Sequence, residues 1–128
     1  MPLQIAIKRA KPAGATVTVT LGGSLDTATA PELEKALEPV LGSYLRQIVF
    51  DLAQLKFVSS AGIRVLLAAR QRLTDADAGF VMVNLQPQIE KVFEIIKALP
   101  GFQIFKDTDE LDAYLAAMQE KYSSPAGD

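Results

Sequence analysis

The stretch QIVFDL at 47–52 constrains the fold most. It is short, rich in β-branched residues and apolar on both faces, the pattern of a central strand covered by helices on at least one side. Its flanks decide the class. Upstream, PELEKALEPVLG at 31–42 places Leu33, Ala36, Leu37, Val40 and Leu41 at helical spacing. Downstream, SAGIRVLLAARQRL at 60–73 puts Leu66, Ala69 and Leu73 on one stripe, with Arg64, Arg70 and Arg72 elsewhere. A covered strand between two helices implies an α/β sheet joined by right-handed crossovers.

The same alternation continues to the C-terminus. GFVMVNL at 79–85 reads as a second buried strand, and PQIEKVFEIIKAL at 87–99 carries Ile89, Val92, Phe93, Ile96 and Leu99 at helical spacing before a terminating Pro-Gly. A short apolar FQIF at 102–105 leads to DTDELDAYLAAM at 107–118, where Asp107 and Glu110 form a capping-box pattern ahead of a fourth helix. At the N-terminus, LQIAIKRA (3–10) and TVTVTL (16–21) alternate with period two around a KPAG turn, which predicts a hairpin. Thr29 with Glu32 predicts a capping box for the first helix, and Pro31 suits its first turn. The expected order is therefore β-β-α-β-α-β-α-β-α: one α/β domain over residues 1–120, a mixed β-sheet with four helices, and a frayed tail at 121–128.

Composition narrows what such a domain does. The 128 residues are 49% hydrophobic and 22% charged, enough for one continuous core. Net charge is −2 with scattered Lys and Arg, so no basic stripe faces a nucleic acid. Cys is absent, which removes disulfides, thiolate nucleophiles and thiolate metal sites. The N-terminal charges follow a short apolar run, the wrong order for a signal peptide, and no apolar run approaches a bilayer span. A cytoplasmic protein without direct membrane insertion is expected.

Two stretches place small polar residues where strands should end at their carboxyl edge, the usual site of an open α/β sheet: GSLDTATA at 23–30 and FVSSAG at 57–62. A serine hydrolase lacks its parts here, since the chain has no His and no G-x-S-x-G around Ser60. A phosphate-binding loop would need several glycines and a following Lys. Asp26 and Asp51 have no ligand spacing for a metal. No catalytic residue, cofactor or metal is expected. Helix capping accounts for Ser59 and Ser60, and a pre-helical acid favoured by the helix dipole accounts for Asp26.

Taken together, the two stretches carry more. GSLDTATA followed one helix later by IVFDLAQLKFVSSAGIRVLL resembles the STAS domain, the family of bacterial anti-sigma-factor antagonists. Gly23, Leu25, Asp26, Thr29 and Ala30 match the first family motif, and Phe57, Ser60, Gly62 and Ile63 match the second. The resemblance runs over roughly residues 3 to 118 and implies a STAS-like fold. It further implies a non-enzymatic switch that binds an anti-sigma factor acting as a serine kinase, is phosphorylated on Ser60, and is restored by a PP2C-type phosphatase. Asp26 would take part in partner recognition, together with Ser59, Gly62 and Arg64. Ser59 stands where antagonists often have an acid, and Arg64 where they often have a small residue. A STAS module of a lipid or solute transporter, or of a signalling scaffold, is the alternative; Ser60 would then be a structural cap.

Overall fold

The computed structural model describes residues 2–9, 15–94, 103–105 and 113. Five strands form one sheet in the order β1-β2-β3-β4-β5. β1 (Leu3–Arg9) pairs antiparallel with β2 (Thr16–Leu25), and β3 (Gln47–Val58), β4 (Gly79–Val83) and β5 (Gln103–Phe105) follow in parallel. The sheet is mixed, as expected. α1 (Ala30–Leu41) joins β2 to β3, α2 (Ser60–Asp75) joins β3 to β4, and α3 (Pro87–Phe93) lies between β4 and β5. Three helices are therefore present among the described residues. Of the expected fourth only Ala113 is described, and the 11–14 turn and the 121–128 tail lie outside the described residues.

Every parallel step moves one strand in the same direction, so right-handed crossovers bring the three helices to one face. That face holds the main core. Val17, Val19 and Leu21 of β2 alternate inward beside Ile48 and Phe50 of β3 and Phe80 and Met82 of β4. Leu33 and Leu37 of α1, Leu66 and Leu73 of α2, and Ile89 and Phe93 of α3 close over them. Phe50 and Phe80 pack with ring centroids 5.1 Å apart. Val49, Val81 and Val83 form a second buried cluster on the opposite register positions, so β3 is apolar on both sides, as its sequence requires.

Two strands run longer than periodicity indicates. β2 continues through Gly22, Gly23 and Ser24 to Leu25, and β3 continues past Leu52 to Val58. The reason is a pair of irregularities between them. β3 takes three residues from Asp51 to Gln54 where β2 takes two from Thr20 to Gly22, and two from Leu55 to Phe57 where β2 takes one from Gly23 to Ser24. Such bulges break strict alternation and strengthen local twist. Leu52, Leu55 and Val58 are buried as a result, a spacing that does not read as a strand. Gly23 adopts φ +88°, and a Cβ there would lie 2.0 Å from the Pro2 carbonyl oxygen, so only glycine fits against the start of β1.

Candidate functional site

The bulges bring the ends of β2 and β3 level. Leu25 pairs with Val58 in the last register step, and the Ser59 backbone N–H donates to the Leu25 carbonyl at 2.8 Å. Asp26 and Ser59 thus leave the sheet side by side at the carboxyl edge of the parallel strands, where open α/β sheets place their sites. Gly62 makes this junction possible. A Cβ at Gly62 would lie 2.6 Å from Leu25 Cγ and 2.8 Å from the Leu25 carbonyl oxygen. Gly62 is buried, and its missing side chain lets the start of α2 pack directly against Leu25.

Asp26 builds the turn into α1. Its Oδ1 accepts from the backbone N–H groups of Ala28 and Thr29, each at 3.0 Å, while Thr29 Oγ1 accepts from the Asp26 N–H at 2.8 Å. This reciprocal pair is a capping box displaced by one turn from the expected Thr29–Glu32 box. Thr29 is the residue before α1, yet its side chain makes no cap bond into the helix; its hydroxyl donates back to the Ser24 carbonyl at 2.8 Å. Thr29 is buried and Ser24 with it, so that hydroxyl stays inside the turn, shared between the Ser24 carbonyl and, at 3.1 Å, Asp26 Oδ1. The Thr29 backbone N–H, with smaller help from the Thr29 hydroxyl and the Ala28 N–H, holds the Asp26 carboxyl below the usual carboxylate range against a partial desolvation cost. Among the described residues Asp26 Oδ2 accepts no hydrogen bond, which leaves half the carboxylate free to act outward.

The start of α2 separates the two serines. Ser59 is the N-cap, with Oγ accepting from the Gly62 N–H at 3.3 Å and the carbonyl accepting from the Ile63 N–H at 2.9 Å. Ser60 is the first helical residue and is exposed, and its hydroxyl makes no hydrogen bond among the described residues. Only Ser59 is a cap; a capping role for Ser60 does not match the structure. Arg64 is exposed one turn further along and is likewise unpaired among the described residues. Phe57, at the end of β3, leaves 51% of its surface exposed beside these residues. The first turn of α2 contains no acid, so nothing on that helix offsets the partial positive charge of its N-terminus.

A polar brace below this edge escaped the sequence reading. Gln86 Nε2 donates to the Ala53 carbonyl at 2.6 Å, and Asn84 Nδ2 donates to Asp51 Oδ1 at 3.2 Å. Asp51 also accepts from the Ala53 N–H at 3.1 Å, so it holds the bulged part of β3 rather than joining Asp26. Asn84 adopts φ 63°, which Asn tolerates better than most residues. The one signal in the sequence was NLQPQ at 84–88, polar amides around a proline just after an apolar run.

The chain belongs to the STAS domain family: the STAS domain model matches residues 6–111. It is 34% identical over 84 residues to BtrV of Bordetella bronchiseptica, a protein assigned as an anti-sigma factor antagonist; the match spans 66% of this chain and 72% of BtrV. The fold is similar to a crystal structure of an anti-sigma factor antagonist from Mycobacterium paratuberculosis, with a TM-score of 0.75, 24% identity and coverage of 91% of this chain and 94% of the other. It is also similar to the Bacillus cell fate determinant SpoIIAA in its phosphorylated form, with a TM-score of 0.67, 18% identity and coverage of 87% and 99%. No helix among the described residues is long and apolar enough to cross a membrane.

Proposed function

We propose that this chain is an anti-sigma-factor antagonist switched by phosphorylation of Ser60, and not itself an enzyme. Bare, it binds an anti-sigma factor that is also a serine kinase and so frees a sigma factor. The kinase then transfers the γ-phosphoryl group of ATP to Ser60 Oγ. The serine O–H gives way to an O–P bond, the proton passes to the kinase and ADP leaves. Phosphorylated, the chain lets go, and a PP2C-type phosphatase restores it by hydrolysis to serine and inorganic phosphate.

The observation that carries this reading is the contrast between the two serines. Ser59 is tied into the helix start, whereas Ser60 presents an exposed hydroxyl with no hydrogen bond among the described residues, at the same sheet edge as Asp26. Among the described residues no hydrogen bond has to break for Ser60 to be modified. A helix N-terminus tolerates the new anion, whose charge of about −1.5 to −2 then opposes an acidic or nucleotide-bearing partner surface. The similarity to an antagonist, and to a fold solved in phosphorylated form, supports the same reading. Asp26 Oδ2, Ser59 and Arg64 complete the proposed contact surface, with Gly62 acting through its packing under Leu25.

The test pairs phosphopeptide mapping with binding. After incubation of the chain with a candidate anti-sigma kinase and ATP, label is expected on Ser60; label on Ser59, Ser123 or Ser124 overturns the assignment. Ser60→Ala is expected to hold the partner constitutively and Ser60→Asp to bind weakly. Equal binding by both folded variants overturns the switch.

A further inference from the structure

Arg64 is the first charged residue on α2, and it stands four residues after Ser60. Side chains at i and i+4 are neighbours on a helix, with Cβ atoms about 5–6 Å apart. Burial places the two residues on one face: Ser60, Arg64 and Ala68 are exposed in succession while Gly62, Leu66 and Ala69 are buried. Arg72, the other exposed arginine of α2, is already held by Glu38 of α1 at 3.0 Å, and Arg64 has no such partner among the described residues.

We infer that Arg64 closes on the phosphate of modified Ser60, an intrahelical clamp that occupies the cation of the docking face whenever the chain is phosphorylated. The inference rests on Ser60 being the modified residue. The chemistry favours it in three ways. A guanidinium matches a phosphate with two parallel N–H···O bonds, which a lysine cannot reproduce. The anion sits N-terminal to the cation, the favourable order along a helix. Among the described residues neither group gives up an existing bond to form the pair.

The clamp changes what phosphorylation does to the surface. In the bare chain Arg64 is an exposed cation one turn after Ser60, unpaired among the described residues and open to an acid on the partner. In the phosphorylated chain it turns inward along the helix. Modification thus adds an anion and withdraws a cation at once, so release does not depend on phosphate repulsion alone. Two further charged residues lie near the ends of the strands that meet at this edge: Asp26, which follows β2, and Lys56 on β3. Asp26 would oppose a phosphate, and Lys56, an exposed cation four residues before Ser60, is the competitor that a test has to separate.

Phosphoserine installed at position 60 during translation provides the test without any kinase. Titrating its phosphorus resonance reads the second ionisation of the phosphate. The midpoint is expected to rise by roughly 0.3 pH unit or more in Arg64→Gln relative to the parent, the size of an i,i+4 ion pair. It is expected to stay in place in Lys56→Gln and Arg72→Gln, and the Arg64 effect should shrink at about 1 M salt, where exposed pairs are screened. Equal midpoints in the parent and Arg64→Gln, or a shift that tracks Lys56 instead, overturn the clamp. Binding of the same phosphoserine chain to the candidate anti-sigma kinase is read separately: undiminished binding overturns the proposed switch, whatever the phosphate midpoint does.

Discussion

The Leu25 carbonyl accepts the Ser59 N–H at 2.8 Å and, on its other side, lies 2.8 Å from where a Cβ on Gly62 would stand. One peptide group therefore fixes the end of β2 to the start of α2 and restricts which residue can occupy the first turn of that helix.

Gly62→Ala tests that restriction. Alanine is ordinarily the better helix residue by about 1 kcal/mol, but its methyl here meets Leu25 Cγ and the backbone carbonyl at distances real Cβ atoms do not adopt. Overpacking of this kind costs about 1–3 kcal/mol, so net destabilisation is expected in a urea titration. Shortening Leu25 as well should not restore stability, because the carbonyl remains and Leu25 is itself a fully buried core residue.

The two serines separate by stability before any partner is added. Ser59→Ala removes the Gly62 cap bond and should cost about 1 kcal/mol. Ser60→Ala removes an exposed hydroxyl that has no partner among the described residues and should stay within about 0.5 kcal/mol of the parent. Thermal melts of both variants measure the difference; the reverse order would make Ser60 the cap.

Asp26 makes the stability depend on acid. Its carboxyl ionises below the ordinary value of 3.8 in the folded chain because the Thr29 N–H bonds to the charged form. A lowered folded value gives stability that is complete above the unfolded value and is lost as pH falls through the folded one. Below about pH 4, Asp26→Asn should therefore lose less stability than the parent. At neutral pH the asparagine keeps an Oδ1 acceptor for the turn, so Asp26→Ala is expected to be the less stable variant. Binding separates the other oxygen: Asp26→Asn turns its outward acceptor into a donor and should weaken the partner complex about ten- to hundred-fold in calorimetry.

Arg72 and Glu38 link α2 to α1 across the surface, with side chains 45% and 62% exposed. Exposed pairs contribute little. Glu38→Gln should change stability by less than about 1 kcal/mol, and less still at high salt.

Most of this architecture was legible in the sequence because burial there keeps to regular periods. Ile48 and Phe50 alternate against Val49, and Leu66, Ala69 and Leu73 recur at helical spacing. Legibility stops where the period fails. Leu52, Leu55 and Val58 are buried at intervals of three because β3 is bulged, so the readable alternation ends six residues before the strand does. The α1 cap differs from expectation for another reason. Thr29–Glu32 satisfies the local pattern, but burial of Thr29 turns its hydroxyl to Ser24, and Asp26 takes the capping role. The resemblance singles out Asp26 and Ser60 as expected site residues, whereas the difference between Ser59 and Ser60 is one of hydrogen bonding and exposure, which the letters do not carry.

The unequal lengths of β2 and β3 imply a rule about insertions and deletions. Gln54, Lys56 and Phe57 are exposed, and their side chains are free to vary as far as packing is concerned. Their number is not. Dropping one residue between Asp51 and Val58 would shift every later side chain to the other face of the sheet. The serine that now meets the Leu25 carbonyl would then arrive one peptide out of step. In this segment chain length is the inherited quantity, and a gap is less tolerable than almost any exchange of one exposed residue for another.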